Sequence, residues 1–410
     1  MNSPALPNTL HRDAQVIGLV GIAHGTSHFF HLILAPLFPW LKQAFGLTYS
    51  ELGLLVSVFF VVSGAGQALA GFVVDRVGAW IVLVGGVALL ALSALGFAAS
   101  QNYAMLLAFA AVAGLGNSVF HPADFTILNR RVSAERLGHA FSMHGILGTI
   151  GWATAPVFLA GLAALIGWRV ALLGAAGLAA AVLALLLVNR AQLDTRETHA
   201  GAKALANGIS ADQLGFLRLP AVWMCFAFFF ITAMSLGGIQ SFAPSALVNL
   251  YGIPVALATT SITAYMLSQA AGMIAGGFLA ARTAHHERII AGAFSIAGAL
   301  CVIVGSGSVS PQSTIALLAL VGFGAGIAGP SRDLLVRAAA PRGATGRVYG
   351  VVYSGLDVGM SIAPLMFGAM MDGHHPGWVF AAIGLFQACA LFTALGLGGS
   401  TSRTRRTQPA

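Results

Sequence analysis

The chain has 410 residues, of which 58% are hydrophobic and only 8% are charged, and its formal net charge is +8. Soluble domains carry about 25% charged residues, so this composition excludes a soluble globular protein and predicts a multi-pass membrane protein. The basic residues stand singly or in pairs between apolar runs, a pattern typical of membrane topology and not of a nucleic-acid-binding surface. The three cysteines lie within apolar runs and lack the spacing of a disulfide framework or a zinc site.

Twelve segments are long and apolar enough to span a bilayer, which takes about 20 residues. They are 15–40, 51–74, 80–99, 104–128, 139–164, 168–189, 221–248, 254–281, 288–307, 312–335, 346–371 and 377–398. The longest polar stretch separates the sixth span from the seventh. We therefore predict a six-helix bundle at 1–189, a central loop at 190–220, a second six-helix bundle at 221–398 and a basic tail at 399–410.

The basic residues also predict the orientation of the chain. With these spans, all 20 Lys and Arg residues except Lys42 and Arg169 fall on the side that holds both termini and the central loop. Positive charge is retained in the cytoplasm. Both termini, the central loop and the tail are therefore predicted to be cytoplasmic.

The two halves of the chain are repeats of each other. A shift of 208 residues superposes "GLGNSVFHP" at 114–122 on "GFGAGIAGP" at 322–330, and it also superposes Gly151 on Gly359 and Pro156 on Pro364. A shift of 206 pairs "GFVVDR" at 71–76 with "GFLAAR" at 277–282. Two parallel copies of six helices are the architecture of transporters whose halves move about a central site.

At this point the chain resembles the major facilitator superfamily over essentially its whole length. The most specific match is "GFVVDRVG" between the second and third spans, which looks like the cytoplasmic loop motif of that family, although Ala79 and Trp80 stand where a basic pair is usual. The resemblance implies an all-α integral membrane fold of twelve transmembrane helices in two parallel-repeat bundles. It also implies a cytoplasmic gate formed by Gly71, Asp75, Arg76, Gly78, Arg130 and Arg131. Asp75 would meet the arginine pair, or the positive end of the helix that begins near Gly346.

The fifth span, "GTIGWATAPVFLAG" at 148–161, resembles the glycine and proline motif of antiporters, with Ala155 in place of one glycine. Small residues allow helices to pack closely, and a proline bends a helix. We assign these packing and bending roles to Gly148, Gly151, Pro156, Gly359 and Pro364. The arginine common in the fourth span of proton-coupled drug antiporters would fall at Ala110 and is missing. "HFFHLILAPLFPWLKQAFGLT" and "NSVFHPADFTILNRR" look most like the fosmidomycin-resistance group of bacterial exporters.

The titratable residues within the spans are the candidate site. In "HGTSHFFH", His24, His28 and His31 follow i, i+4 and i+7 spacing and share one face of a helix. The fourth span adds His121 and Asp124, and the fifth adds His144. Titratable groups at membrane depth are costly, so each is a functional hypothesis. The alternative for each histidine alone is a neutral ring bonded to a backbone carbonyl.

Asp357 is the sharpest single signal in the second half. It lies about eleven residues into its span, roughly 16 Å at 1.5 Å per residue, which is near the midplane. Loss of hydration disfavours its ionised form there, so Asp357 is a candidate for binding and releasing a proton as access alternates. A structural aspartate hydrogen-bonded to a neighbouring helix is the alternative.

These features predict a secondary transporter in a bacterial-type inner membrane. It would move a small organic solute by alternating access, with efflux in exchange for protons favoured. The alternatives are proton-coupled import of an organic anion, with Arg332 supplying positive charge, and transport of a divalent metal or metal chelate. We predict a monomer that is not an enzyme, and we assign no cofactor and no resident metal ligands, since neither a nucleotide-binding loop nor an HxH pair occurs.

Overall fold

The structure, a computed structural model, describes residues 9–195, 218–283, 285–339 and 345–407, without the side chains of 333, 336–339, 345–350, 353 and 394–407. Most of the predicted central loop, 196–217, and the end of the predicted tail, 408–410, lie outside the described residues. The described part of the tail continues the last helix, which ends at Thr407.

The described residues form fifteen α-helices, with 3₁₀ turns at Ala35–Leu37 and Ala134–Arg136. The helices are α1 (Thr9–His31), α2 (Phe38–Phe45), α3 (Tyr49–Val77), α4 (Ala79–Ala99), α5 (Tyr103–Asn117), α6 (Phe120–Arg131), α7 (Leu137–Ile166), α8 (Trp168–Val188), α9 (Arg190–Leu193), α10 (Pro220–Tyr251), α11 (Val255–Ala281), α12 (His286–Gly305), α13 (Pro311–Ala339), α14 (Thr345–Asp372) and α15 (Pro376–Thr407).

Within the described residues, twelve helical segments are long and apolar enough to cross a membrane, which confirms the predicted number of spans. Two spans are interrupted. The first breaks between α1 and α2, and the fourth breaks between α5 and α6. A proline has no N–H to donate and its ring clashes with the carbonyl four residues earlier. Pro36 and Pro122 each lie five residues after the last residue of the preceding helix, so the carbonyl four residues before each proline falls in the break, whereas α7 and α14 stay continuous through their prolines.

The chain forms two compact units. Residues 9–33 and 62–195 belong to the first, and residues 34–61 join the described residues from 218 onward in the second. Within the second unit, the carboxylate of Asp372 accepts hydrogen bonds from the backbone N–H groups of Tyr49 and Ser50, at 2.7 and 2.8 Å. A carboxylate at this position offsets the unpaired amides and the positive dipole at the start of α3.

Glycines let the paired helices of each unit approach closely. In the first unit, a Cβ at Gly151 of α7 would overlap the carbonyl oxygen of Gly25 in α1. In the second unit, a Cβ at Gly359 of α14 would lie 2.6 Å from Cβ of Ala233 in α10. Gly151 and Gly359 are repeat counterparts, since 151 plus 208 is 359. The packing role that the sequence predicts for these two glycines fits this geometry.

We expect Gly151→Ala to force α1 and α7 apart and to lower the stability of the purified protein by about 1–3 kcal/mol, the usual cost of overpacking. Gly145→Ala on the same helix is the matched control, because a Cβ at Gly145 meets nothing within 4 Å. Thermal unfolding in detergent measures both. Equal melting temperatures for the two variants would contradict the close contact.

Candidate functional site

The three histidines of α1 lie on one face, packed against α7. The ring of His24 stacks on that of His144, with centroids 3.5 Å apart. The ring of His28 stacks on Trp152 at 4.1 Å, and His31 lies 5.9 Å from the same indole. The i, i+4, i+7 spacing therefore places all three rings against another helix of the first unit.

Asp124 of α6 is the centre of the cluster and is fully buried. Its Oδ2 accepts a hydrogen bond from Nε2 of His144 at 3.0 Å. Nδ1 of His24 lies 3.2 Å from the same oxygen, which is within ion-pair distance, but it is not aligned as a hydrogen bond. A carboxylate buried in a membrane bundle is costly unless it is paired. His144 and His24 are the groups that lie close enough to offset this charge.

Several polar atoms of the cluster are buried without a hydrogen-bond partner among the described residues. They are Oδ1 of Asp124 and the Nδ1 atoms of His24, His28 and His121. Buried polar atoms in proteins are nearly always paired. These atoms therefore retain hydrogen-bonding capacity for a water molecule, a proton, a solute group or an ion.

A second polar network continues from the cluster towards the end of α1. The side-chain oxygen of Asn117 accepts a hydrogen bond from the Ser27 hydroxyl at 2.6 Å and lies 3.1 Å from Nε2 of His31. The Asn117 amide donates to Ser63 at 2.8 Å, and Nε1 of Trp152 donates to Nδ1 of His31 at 3.2 Å. Because Nδ1 of His31 accepts, its proton is on Nε2 and is donated to Asn117 when the ring is neutral.

Sequence reasoning gave no role to Asn117, Ser27, Ser63 or Trp152. Asn117 was detectable, because an amide in the apolar run 104–128 is itself unusual. Ser27 and Ser63 carried no such signal, since isolated serines are ordinary in membrane helices.

Gly148 provides the space that the stacked rings occupy. A Cβ at this position would lie 2.8 Å from Nδ1 of His28 and 3.0 Å from Cδ2 of His24. The sequence predicts that Gly148 serves helix packing, and the structure places it against the imidazoles themselves. A glycine of α7 thus lies where α1 presents two large side chains.

The cluster also has the spacing of a potential metal site, although the sequence assigned no metal ligands. One ligand atom from each of His24, His121 and His144 lies within 4.8 Å of the other two. Imidazole nitrogens suit divalent transition metals. A divalent metal is therefore one of the candidate solutes.

Asp357 does not belong to this cluster. It lies on α14 in the second unit, whereas the histidines and Asp124 lie in the first. Its side chain is half-buried, and no hydrogen bond or ion pair joins its carboxylate to another described residue. The predicted proton and substrate residues therefore form one compact group in the first unit and one separate carboxylate in the second.

The predicted gate residues lie at the ends of α3 and α6. Asp75 and Arg76 are exposed, and no ion pair joins Asp75 to Arg130 or Arg131 among the described side chains. The other partner suggested for Asp75, near Gly346, falls where side chains are not described. Gly78 has φ of 101°, a conformation that glycine adopts without strain, and it forms the turn into α4. The gate itself stays a prediction.

Comparison with known proteins identifies the family. Residues 20–364 match the family model of the Major Facilitator Superfamily, so the chain belongs to that superfamily of transporters. It is 23% identical over 271 residues to the Fosmidomycin resistance protein of Escherichia coli K12, an alignment covering 64% of this chain and 64% of that relative. It is 24% identical over 356 residues to a probable nitrate/nitrite transporter, NarK2, of Mycobacterium tuberculosis, covering 83% of this chain and 85% of that relative.

A solved structure supports the same fold. The crystal structure of a bacterial homologue of the human lysosomal transporter Spinster, in an inward-facing and occupied conformation, superposes with a TM-score of 0.73. The match covers 96% of this chain and 97% of that chain at 14% identity. The predicted fold class and superfamily are thus confirmed.

We expect Asp124→Leu to destabilise the protein by about 1–3 kcal/mol, because the buried Nε2 of His144 loses its acceptor. Asp124→Asn retains a side-chain carbonyl oxygen and should lose much less. Melting temperatures of the two variants in detergent measure the difference. Wild-type stability in Asp124→Leu would show that the contact between Asp124 and His144 contributes little to folding.

Proposed function

We propose that this protein is a proton-coupled secondary transporter that exports a small organic solute across a bacterial inner membrane. The buried pair of Asp124 and His144 carries the proposal. Together the carboxylate and the imidazole form a neutral unit while they hold one proton between them. Removing that proton would leave a net negative charge in the bundle, where charge is costly.

This cost couples proton release to a change in the surroundings of the pair. The proton can leave when water reaches Asp124 or when a compensating group arrives on the solute. His24 and His121 are the neighbouring rings that would receive or relay the proton. His24 is 3.2 Å from the carboxylate, and the His121 ring centroid is 5.2 Å from that of His24.

Asp357 is the second proton candidate and would act in the other unit. Its support is a half-buried carboxylate on a membrane-spanning helix, with no described partner to hold it ionised. Comparing variants of Asp124 and Asp357 separates the two sites.

We further propose that transport is directed out of the cell. Similarity to a fosmidomycin resistance protein supports efflux, and the excess of basic residues on one side of the membrane supports cytoplasmic termini. The second candidate function is proton-coupled import of an anion, and similarity to a probable nitrate/nitrite transporter supports an anion as the solute.

Proton flux in proteoliposomes holding the purified full-length protein and a trapped pH dye tests the proposal. Fosmidomycin, other organic acids, nitrate and divalent metals are added in turn to the solution outside the proteoliposomes. Antiport exchanges incoming solute for outgoing protons and makes the lumen alkaline, whereas symport makes it acidic. The sign of the pH change therefore distinguishes exchange from co-transport.

We expect Asp124→Asn to abolish the solute-dependent pH change, because an amide cannot exchange the proton. Glu135→Gln, which alters an exposed carboxylate beside α7, is the matched control and should keep full flux. Full coupled flux in Asp124→Asn with loss in Asp357→Asn would transfer the proton role to Asp357. The absence of flux with every solute, from protein that is folded and correctly reconstituted, would contradict the proposal.

A further inference from the structure

The second unit contains a cavity at the place where the first unit holds the histidine cluster. The cavity has a volume of about 80 Å³, and the residues lining it include Thr232, Gly329 and Arg332. Subtracting 208 from 232, 329 and 332 gives 24, 121 and 124, the positions of His24, His121 and Asp124. The cavity is thus the repeat counterpart of the cluster.

Side-chain size explains why one half is filled and the other is open. Thr232 replaces His24, and Gly329 replaces His121, so two rings are missing from the second unit. A Cβ at Gly329 would meet only Cγ of Met273, at 3.7 Å. The missing rings thus leave open space beside Thr232 and Gly329 that a small polar group can occupy.

The charge of the site is reversed between the two halves. Asp124 in the first unit corresponds to Arg332 in the second. Arg332 lines the cavity, and its guanidinium carbon lies 4.9 Å from the centre of the Phe229 ring. Guanidinium groups bind carboxylates, phosphonates and similar oxyanions in a planar, bidentate manner.

The other polar groups of the cavity supply further donors. Ser235 accepts a hydrogen bond from Nε2 of Gln387 at 3.3 Å, which leaves its own hydroxyl hydrogen for a ligand. Gln269 also lines the cavity.

We propose that this cavity binds the oxyanion group of the transported solute, with Arg332, Ser235 and Gln269 as donors. The inference rests on the proposed transport function and names its substrate class as small anions. The histidine cluster of the first unit would then exchange protons, and the cavity of the second unit would bind the anionic group of the solute.

Binding to the purified full-length protein in detergent, at constant pH and without a membrane gradient, tests the inference. The probes are nitrate, methylphosphonate and acetate as sodium salts, with glucose and choline chloride as neutral and cationic controls. Calorimetry and thermal shift measure affinity. We expect saturable binding of at least one oxyanion, weakened about tenfold or more by Arg332→Gln and less by Arg332→Lys.

A second pair of variants decides the question if Arg332→Gln does not fold. Gly329→Leu should fill the cavity and abolish binding, whereas Gly277→Ala, on α11 outside the cavity lining and with nothing within 4 Å of the added Cβ, should bind as wild type does. Wild-type affinity in folded Arg332→Gln or in Gly329→Leu, or no oxyanion binding at all, would overturn the inference. Because no proton gradient is used, this assay reports binding alone, so loss of coupling and loss of binding are separate results.

Discussion

The candidate site depends on one electrostatic constraint, the burial of the Asp124 carboxylate within a bundle of membrane helices. Water cannot stabilise that charge, so protein groups must do so. His144 supplies a hydrogen bond at 3.0 Å, and His24 lies 3.2 Å away. These contacts require α1, α6 and α7 to approach closely, and glycines make the approach possible. Gly151 lies against the backbone of Gly25, and Gly148 leaves room for the imidazoles. The contacts of the cluster therefore depend on the close helix packing of the first unit.

The internal repeat shows the same packing used for different chemistry. Close helix contacts are made at Gly151 in one half and at its counterpart Gly359 in the other. The buried positions next to those contacts differ, since Asp124 corresponds to Arg332 and a filled cluster corresponds to a cavity. A duplicated bundle can keep its backbone geometry while its interior side chains diverge, because helix contact depends on small residues and not on the polar ones. In the proposed function this divergence separates the groups that carry protons from those that hold a solute.

Several expectations drawn from residue spacing agree with the structure for identifiable reasons. The histidines of "HGTSHFFH" share a face because i, i+4 and i+7 positions are neighbours on any α-helix. The fourth span breaks between α5 and α6 at residue 118, four residues before Pro122, which has no N–H to donate to the carbonyl at that position. The grouping of all titratable residues was less predictable. Asp357 lies in the other unit, and Asp75 has no ion pair with Arg130 or Arg131 among the described side chains. Spacing along one helix carries no information about which helices meet.

Membrane insertion, twelve spans and two related halves follow from composition, hydropathy and repetition, because the bilayer imposes the length and polarity of each span. The superfamily could also be read from the loop motif at 71–78. The contacts of the site could not be predicted from the sequence. Asn117 joins Ser27, Ser63 and His31 only because α3, α5 and α1 come together, and the cavity beside Arg332 exists only where several helices leave a gap. Such contacts depend on helix crossings and side-chain rotamers, which are decided by three-dimensional packing and not by local sequence.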